Sequence, residues 1–123
     1  YQNLTASTTT LTTPILLGTS QEIIPQYSGH ITIDSIVRGS NTTIGEGITI
    51  GLYSSATSGS LTTLLISETY TQEGLASNEH TFVLYSEIKD QPIGTPIYLS
   101  LSLNANTSGT AAGKVVSLIL EEI

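Results

Sequence analysis

Two histidines, His30 and His80, are the side chains of this 123-residue chain best suited to move a proton or hold a metal near neutral pH. Neither has a second histidine two or four residues away, and there is no cysteine, so the ligand spacing of a zinc site is missing. Each precedes an alternating apolar run and is expected at the start of a strand. A Ser-His-Asp set could be drawn from the many serines with His30 or His80 and Asp34 or Asp90. No Gly-x-Ser-x-Gly elbow accompanies them, however, and so many serines make chance groupings common. Glycoside hydrolysis needs two acids on facing walls of a cleft. The adjacent Glu121 and Glu122 would point to opposite faces of a strand. Glu87 with Asp90, and Asn104 with Asn106, are too sparse for a calcium loop. Gly45-Glu46-Gly47 lacks the third glycine and following helix of a phosphate loop, and reads as a hairpin or bulge. No catalytic residue, cofactor-binding residue or metal ligand is therefore assigned. No cofactor is expected, and the chain is expected not to be an enzyme.

The remaining candidates concern surfaces. Three Asn-x-Ser/Thr triplets, at Asn3, Asn41 and Asn106, are candidate glycosylation sequons, and the last two fall in expected turns. With 36 Ser and Thr residues in the chain, chance alone supplies such triplets. Tyr27, Tyr53, Tyr70, Tyr85 and Tyr98 fall on the polar side or the edge of their expected strands, where tyrosine commonly marks a contact with sugar or with another subunit. The subunit contact is the preferred functional reading.

Composition points the same way. Hydrophobic residues make up 38 % of the chain and charged residues only 11 %, so a core can be buried although the surface is mostly hydroxyl. The net charge is −7, with Arg38, Lys89 and Lys114 the only fixed cations. No basic patch exists to neutralise phosphates, so neither nucleic-acid binding nor attraction to anionic membranes is expected. No run of about 18 apolar residues occurs, so membrane insertion is not expected either. With no methionine, the chain is expected to be a processed or excised form.

Strand periodicity dominates. Ile31, Ile33 and Val37 share one face. So do Ile48, Ile50 and Leu52, then Phe82, Leu84 and Ile88, and then Ile97, Leu99, Leu101 and Leu103. Leu64 and Ile66 are expected inward in a strand over 61–70. Pro92 and Pro96 break the stretch between two strands. The expectation is an all-β, antiparallel β-sandwich of jelly-roll type with seven to eight strands. Its core should contain Ile33, Ile50, Leu52, Phe82, Leu84, Leu99, Leu101 and Leu118. Residues 1–13 form an extended arm or edge strand, and residues 14–123 a single sandwich domain.

Two segments suggest assembly. The last strand carries Val116, Leu118 and Leu120 on one side and Val115, Ile119 and Ile123 on the other, so a second layer should cover it. The arm, with Leu4 and Leu11 among threonines, has few anchors of its own. Leu4, Leu11, Val115, Ile119 and Ile123 are therefore the expected assembly residues.

The run Gly45-Glu46-Gly47-Ile48-Thr49-Ile50-Gly51-Leu52-Tyr53 follows an alternating strand and a Gly-Ser-Asn turn, and the chain closes on LILEEI. This order resembles small jelly-roll domains of the C1q/tumour-necrosis-factor type in surface proteins of bacterial and archaeal viruses. The arm resembles the free strands of extracellular filament subunits. The resemblance implies a non-catalytic structural subunit on a virion surface, as a head fibre, decoration or tail-tip component. The alternatives are a secreted filament subunit joined by donation of the N-terminal strand, or a carbohydrate-binding module. The partners implied are copies of itself, as trimer or polymer, together with a host-surface glycan or protein. The location implied is extracellular or the virion surface.

Overall fold

Alternating β-branched and aliphatic residues separated by Gly, Asn and Pro turns build eight strands in the computed structural model, which describes residues 1–123. They are β1 (Asn3–Thr9), β2 (Ile15–Ile23), β3 (Ile31–Asn41), β4 (Gly47–Ser55), β5 (Thr63–Thr71), β6 (His80–Ile88), β7 (Ile97–Ala105) and β8 (Ala111–Glu122). One sheet has the order β1-β8-β3-β6 and the other β2-β7-β4-β5. Every pairing is antiparallel. This is the two-sheet order of a jelly roll.

The core lies between the sheets. All eight residues expected there are buried, joined by Leu17, Ile31, Val37, Ile48, Leu103, Ala105, Ala111 and Val115. The β3–β6 register runs without a break from Ile31↔Ile88 to Gly39↔His80, so period-two reading of both strands is correct throughout.

Elsewhere bulges reset the phase. Against β3, β8 passes from Ser117 opposite Ile36 to Val115 opposite Val37, leaving Val116 unpaired. Val115 and Leu118 therefore both point inward, at 1 % and 2 % exposure, while Ile119 points out. The expected outward placement of Val115 is corrected by that bulge, and β8 is not apolar on both faces along its length. The same device acts in β5, where Ile66 pairs with Leu52 and Leu64 with Tyr53, skipping Leu65. It is Leu65 that packs on the core, while Leu64 and Ile66 are exposed, opposite to the expectation.

The N-terminal segment is an edge strand of its own domain. β1 pairs with β8 through Asn3↔Val115 and Ser7↔Gly113 to Thr9↔Ala111. The Leu118 N–H donates to the Tyr1 carbonyl at 2.9 Å, and the Tyr1 hydroxyl accepts from the Thr19 N–H at 3.0 Å. Past the strand, the Ala105 N–H donates to the Leu11 carbonyl at 2.9 Å, tying the segment to the second sheet. The expected shortage of anchors is thus made good by main-chain bonds and by Tyr1, not by inward leucines. The Tyr1 ring lies where a side chain on Gly18 would project, and Gly18 has φ +73°, so glycine is required at this bend in β2.

One end of the sandwich is closed by buried amides. The Asn41 N–H donates to Gln72 Oε1 at 2.9 Å. The Asn41 side-chain amide donates to the Gly47 and Ser108 carbonyls, both at 3.2 Å. The Gln72 amide donates to the Leu75 and Asn78 carbonyls at 2.8 and 2.9 Å. Three connections, β3–β4, β5–β6 and β7–β8, are tied together there with no buried polar side-chain atom left unpartnered.

Candidate assembly surface

The outer face of the β1-β8-β3-β6 sheet is built on β3, whose outward positions are Thr32, Asp34, Ile36 and Arg38. The two registers define its rows. Thr32 lies between Glu121 and Glu87, Asp34 between Ile119 and Tyr85, Ile36 between Ser117 and Val83, and Arg38 between Lys114 and Thr81. The two middle rows hold Ile36, Val83, Tyr85 and Ile119, all exposed, with Val83 at 66 % and Ile119 at 55 %. Four large side chains together on one sheet face form a patch, unlike scattered surface leucines. The rows on either side are charged, with carboxylates at one end and two of the three fixed cations at the other.

Electrostatics reflect this crowding. Partial burial, followed by the Glu87 and Asp34 carboxylates, pushes the Tyr85 phenol above its ordinary range. His30 reaches across and pairs with Glu87. Lys114 pairs with Glu79 at 3.1 Å. Arg38 takes part in none of the ion pairs and faces solvent.

Of the expected assembly residues, Ile119 lies in this patch, and Ile123 is exposed at the end of β8's chain segment. Leu4 and Leu11 are exposed on the N-terminal segment, and Val115 is in the core. Ile36, Val83 and the Arg38–Lys114 pair were missed by sequence reasoning. Their signal was available, because Ile36 and Val83 are aliphatic residues on the polar phase of unbroken strands.

Asn41 is fully buried with its amide engaged, so it is corrected from sequon to structural residue, since no glycan can reach it. Asn106 is exposed, although its Oδ1 accepts from Thr49 Oγ1 at 2.6 Å. Asn3 is half-buried and its Oδ1 caps the Thr5 N–H at 3.1 Å.

The other chemical candidates are occupied by packing. His80 stacks on Tyr70, centroids 3.9 Å apart, and meets Phe82 edge-on at 4.9 Å. Tyr70 therefore turns toward the core instead of outward. No group of three or more His, Cys, Asp or Glu side chains converges anywhere in the chain. A hollow of about 400 Å³ lies between Ser54–Thr63 and Gln91–Ile97. Hydroxyls, Gln91, Pro92 and Pro96 line it, with no acid, histidine or aromatic ring, so it holds no nucleophile and base pair. No helix is long and apolar enough to cross a membrane.

Together these features define a jelly-roll sandwich domain with one bare, apolar-centred sheet face. In sequence the chain matches no family model and no curated protein. Among solved structures it is similar to a protein of infectious bursal disease virus, Gt strain, with TM-score 0.56 and 11 % identity over 98 % of this chain. The chain spans 30 % of that viral protein. It is also similar to the EclA C-terminal domain, a sugar-binding protein, with TM-score 0.51 and 14 % identity, covering 94 % of this chain and 76 % of that one. At these identities the likeness is one of fold.

Proposed function

We propose that this domain is a non-catalytic structural subunit that self-assembles at a virion surface, using the outer face of the β1-β8-β3-β6 sheet as its contact. The observation carrying this reading is the adjacent exposure of Ile36, Val83, Tyr85 and Ile119 on that face. A sheet face of this kind gains free energy when a second protein layer covers it, at about 25 cal/mol per Å² of apolar surface removed from water. The jelly-roll architecture shared with a viral protein is compatible with the setting.

Donation of the N-terminal strand is less well supported, because β1 is already bonded to β8 within the chain and would have to be stripped from it. The hydroxyl-lined hollow offers neither an aromatic platform nor a carboxylate, and so does not carry a carbohydrate-binding reading.

Light scattering over a micromolar concentration series tests the proposal. The native chain should associate, and Ile119→Asp should be monomeric with an unchanged circular-dichroism spectrum, since Ile119 is exposed in the isolated fold. A native protein that stays monomeric throughout the series would overturn the reading.

A further inference from the structure

We infer that the occupant of the bare face is a second copy of this chain, stacked face to face about a two-fold axis that runs across the strands. The inference rests on the self-assembly reading above and adds the partner's identity and orientation. It follows from the charge order on the face. The row Glu87–Thr32–Glu121 is acidic, and the row Thr81–Arg38–Lys114, six residues further along β3, is basic. The two rows are about 20 Å apart at strand rise, with the rows Ile119–Asp34–Tyr85 and Ser117–Ile36–Val83 between them.

Contact of one surface with itself is isologous and requires a two-fold axis. An axis along the strands would lay Glu87 and Glu121 of one copy over the same carboxylates of the other, and the chain already carries a net charge of −7. An axis across the strands reverses the row order. The acidic row of each copy then meets the basic row of the other, and the rows holding Ile119 and Tyr85 meet those holding Ile36 and Val83. Of the two orientations this one brings acid to base; it sets Tyr85 over Val83 and places Asp34 over Ile36, one row from the other copy's Arg38.

The basic row supports the same conclusion independently. Arg38 and Lys114 are direct cross-strand neighbours, a like-charge pairing that opposes folding. Lys114 has Glu79, whereas Arg38 has no carboxylate within ion-pair distance in its own chain. A partner's Glu87 and Glu121 would flank Arg38 in the stacked pair and relieve that repulsion. The three-fold contact implied by the family resemblance would instead pair this face with a different surface of the next copy.

Sedimentation velocity on the full chain and its charge variants tests the pairing. The native protein should form a two-subunit species. Arg38→Glu should raise its dissociation constant by about tenfold or more, Arg38→Gln by less, and the double variant Arg38→Glu with Glu87→Lys should restore most of the affinity. Retained strand circular dichroism confirms that each variant is folded. A three-subunit or longer species indifferent to Arg38→Glu would overturn the two-fold pairing while leaving self-assembly intact. A dimer that the double variant fails to restore would overturn it as well. A monomer under all conditions would overturn both readings.

Discussion

The two sheets treat their outer faces differently. On the β2-β7-β4-β5 sheet the chain covers itself. Ser100 and Ser102 point outward yet are buried, at 0 % and 1 % exposure. Ser20, in the bulge of β2, bonds Ser100 Oγ at 2.6 Å and accepts the Gly59 N–H at 2.7 Å, drawing the β4–β5 connection over the face. Tyr53, Leu64 and Ser102 close over Gly51, filling the space its side chain would need. The β1-β8-β3-β6 sheet has no such cover, and its central rows present Ile36, Val83, Tyr85 and Ile119 to water. A jelly roll that covers the centre of one face with short hydroxyl side chains and its own loops, with Tyr53 and Leu64 folded over Gly51, has the other face left for a partner.

Three further measurements bear on this contrast. Leu101→Ala removes a core side chain on which both faces rest, and should cost about 2–5 kcal/mol in urea unfolding. A loss below about 0.5 kcal/mol would mean that the sheets are not packed as described. Gly51→Val drives a side chain into the sealed face, where Ser102 Oγ lies 2.7 Å and Tyr53 Cε1 2.9 Å from the position of its Cβ. It should cost about 1–3 kcal/mol, whereas Ile36→Thr on the bare face should leave the monomer within about 0.5 kcal/mol of native. Equal losses in calorimetry would erase the distinction between the faces.

The smallest effect concerns the end of β8. Glu122 accepts main-chain N–H bonds from Gln26, Tyr27 and Gly29 at 2.8, 3.1 and 2.8 Å. Its carboxyl is held below the ordinary range, first by the Gln26 bond and, against an opposing desolvation, by those to its neighbours. A lowered folded value means that the stabilisation is fully present above the ordinary carboxylate range and is lost as pH falls through the folded value. Glu122→Gln should therefore lower thermal stability at neutral pH and flatten its decline on acidification. An acid limb identical to that of the native protein would show that the clasp contributes nothing.

Much of the fold was legible because β3, β4, β6 and β7 alternate strictly, and their inward residues identify the core. β5 and β8 were misread where bulges shift the phase. One at Val116 turns Val115 inward, and one at Leu65 turns Leu64 outward beside Tyr53, while Ile66, opposite Leu52, stays exposed on an edge strand. Neither bulge is flanked by a glycine or proline that would announce it. Asn41 was misread as a sequon because its burial depends on Gln72, distant in sequence. The assembly patch was half legible. Ile119 was found on its own strand, but its neighbours Ile36, Val83 and Tyr85 come together only once the register of three strands is fixed.

The pairing of Tyr1 with Leu118 also has a mechanical meaning. It puts both ends of the described chain at the same pole of the sandwich, five residues of β8 and its tail beyond the start of β1, with the Asn41–Gln72 closure at the opposite pole. Tension applied between the two ends would load β1 and β8 in peeling, separating their main-chain bonds one after another. Tension entering through one end and leaving through the bare face would instead load the β8–β3 ladder in shear, with many of its bonds resisting together. A domain gripped by its face should therefore withstand more force than one pulled through Tyr1 and Ile123.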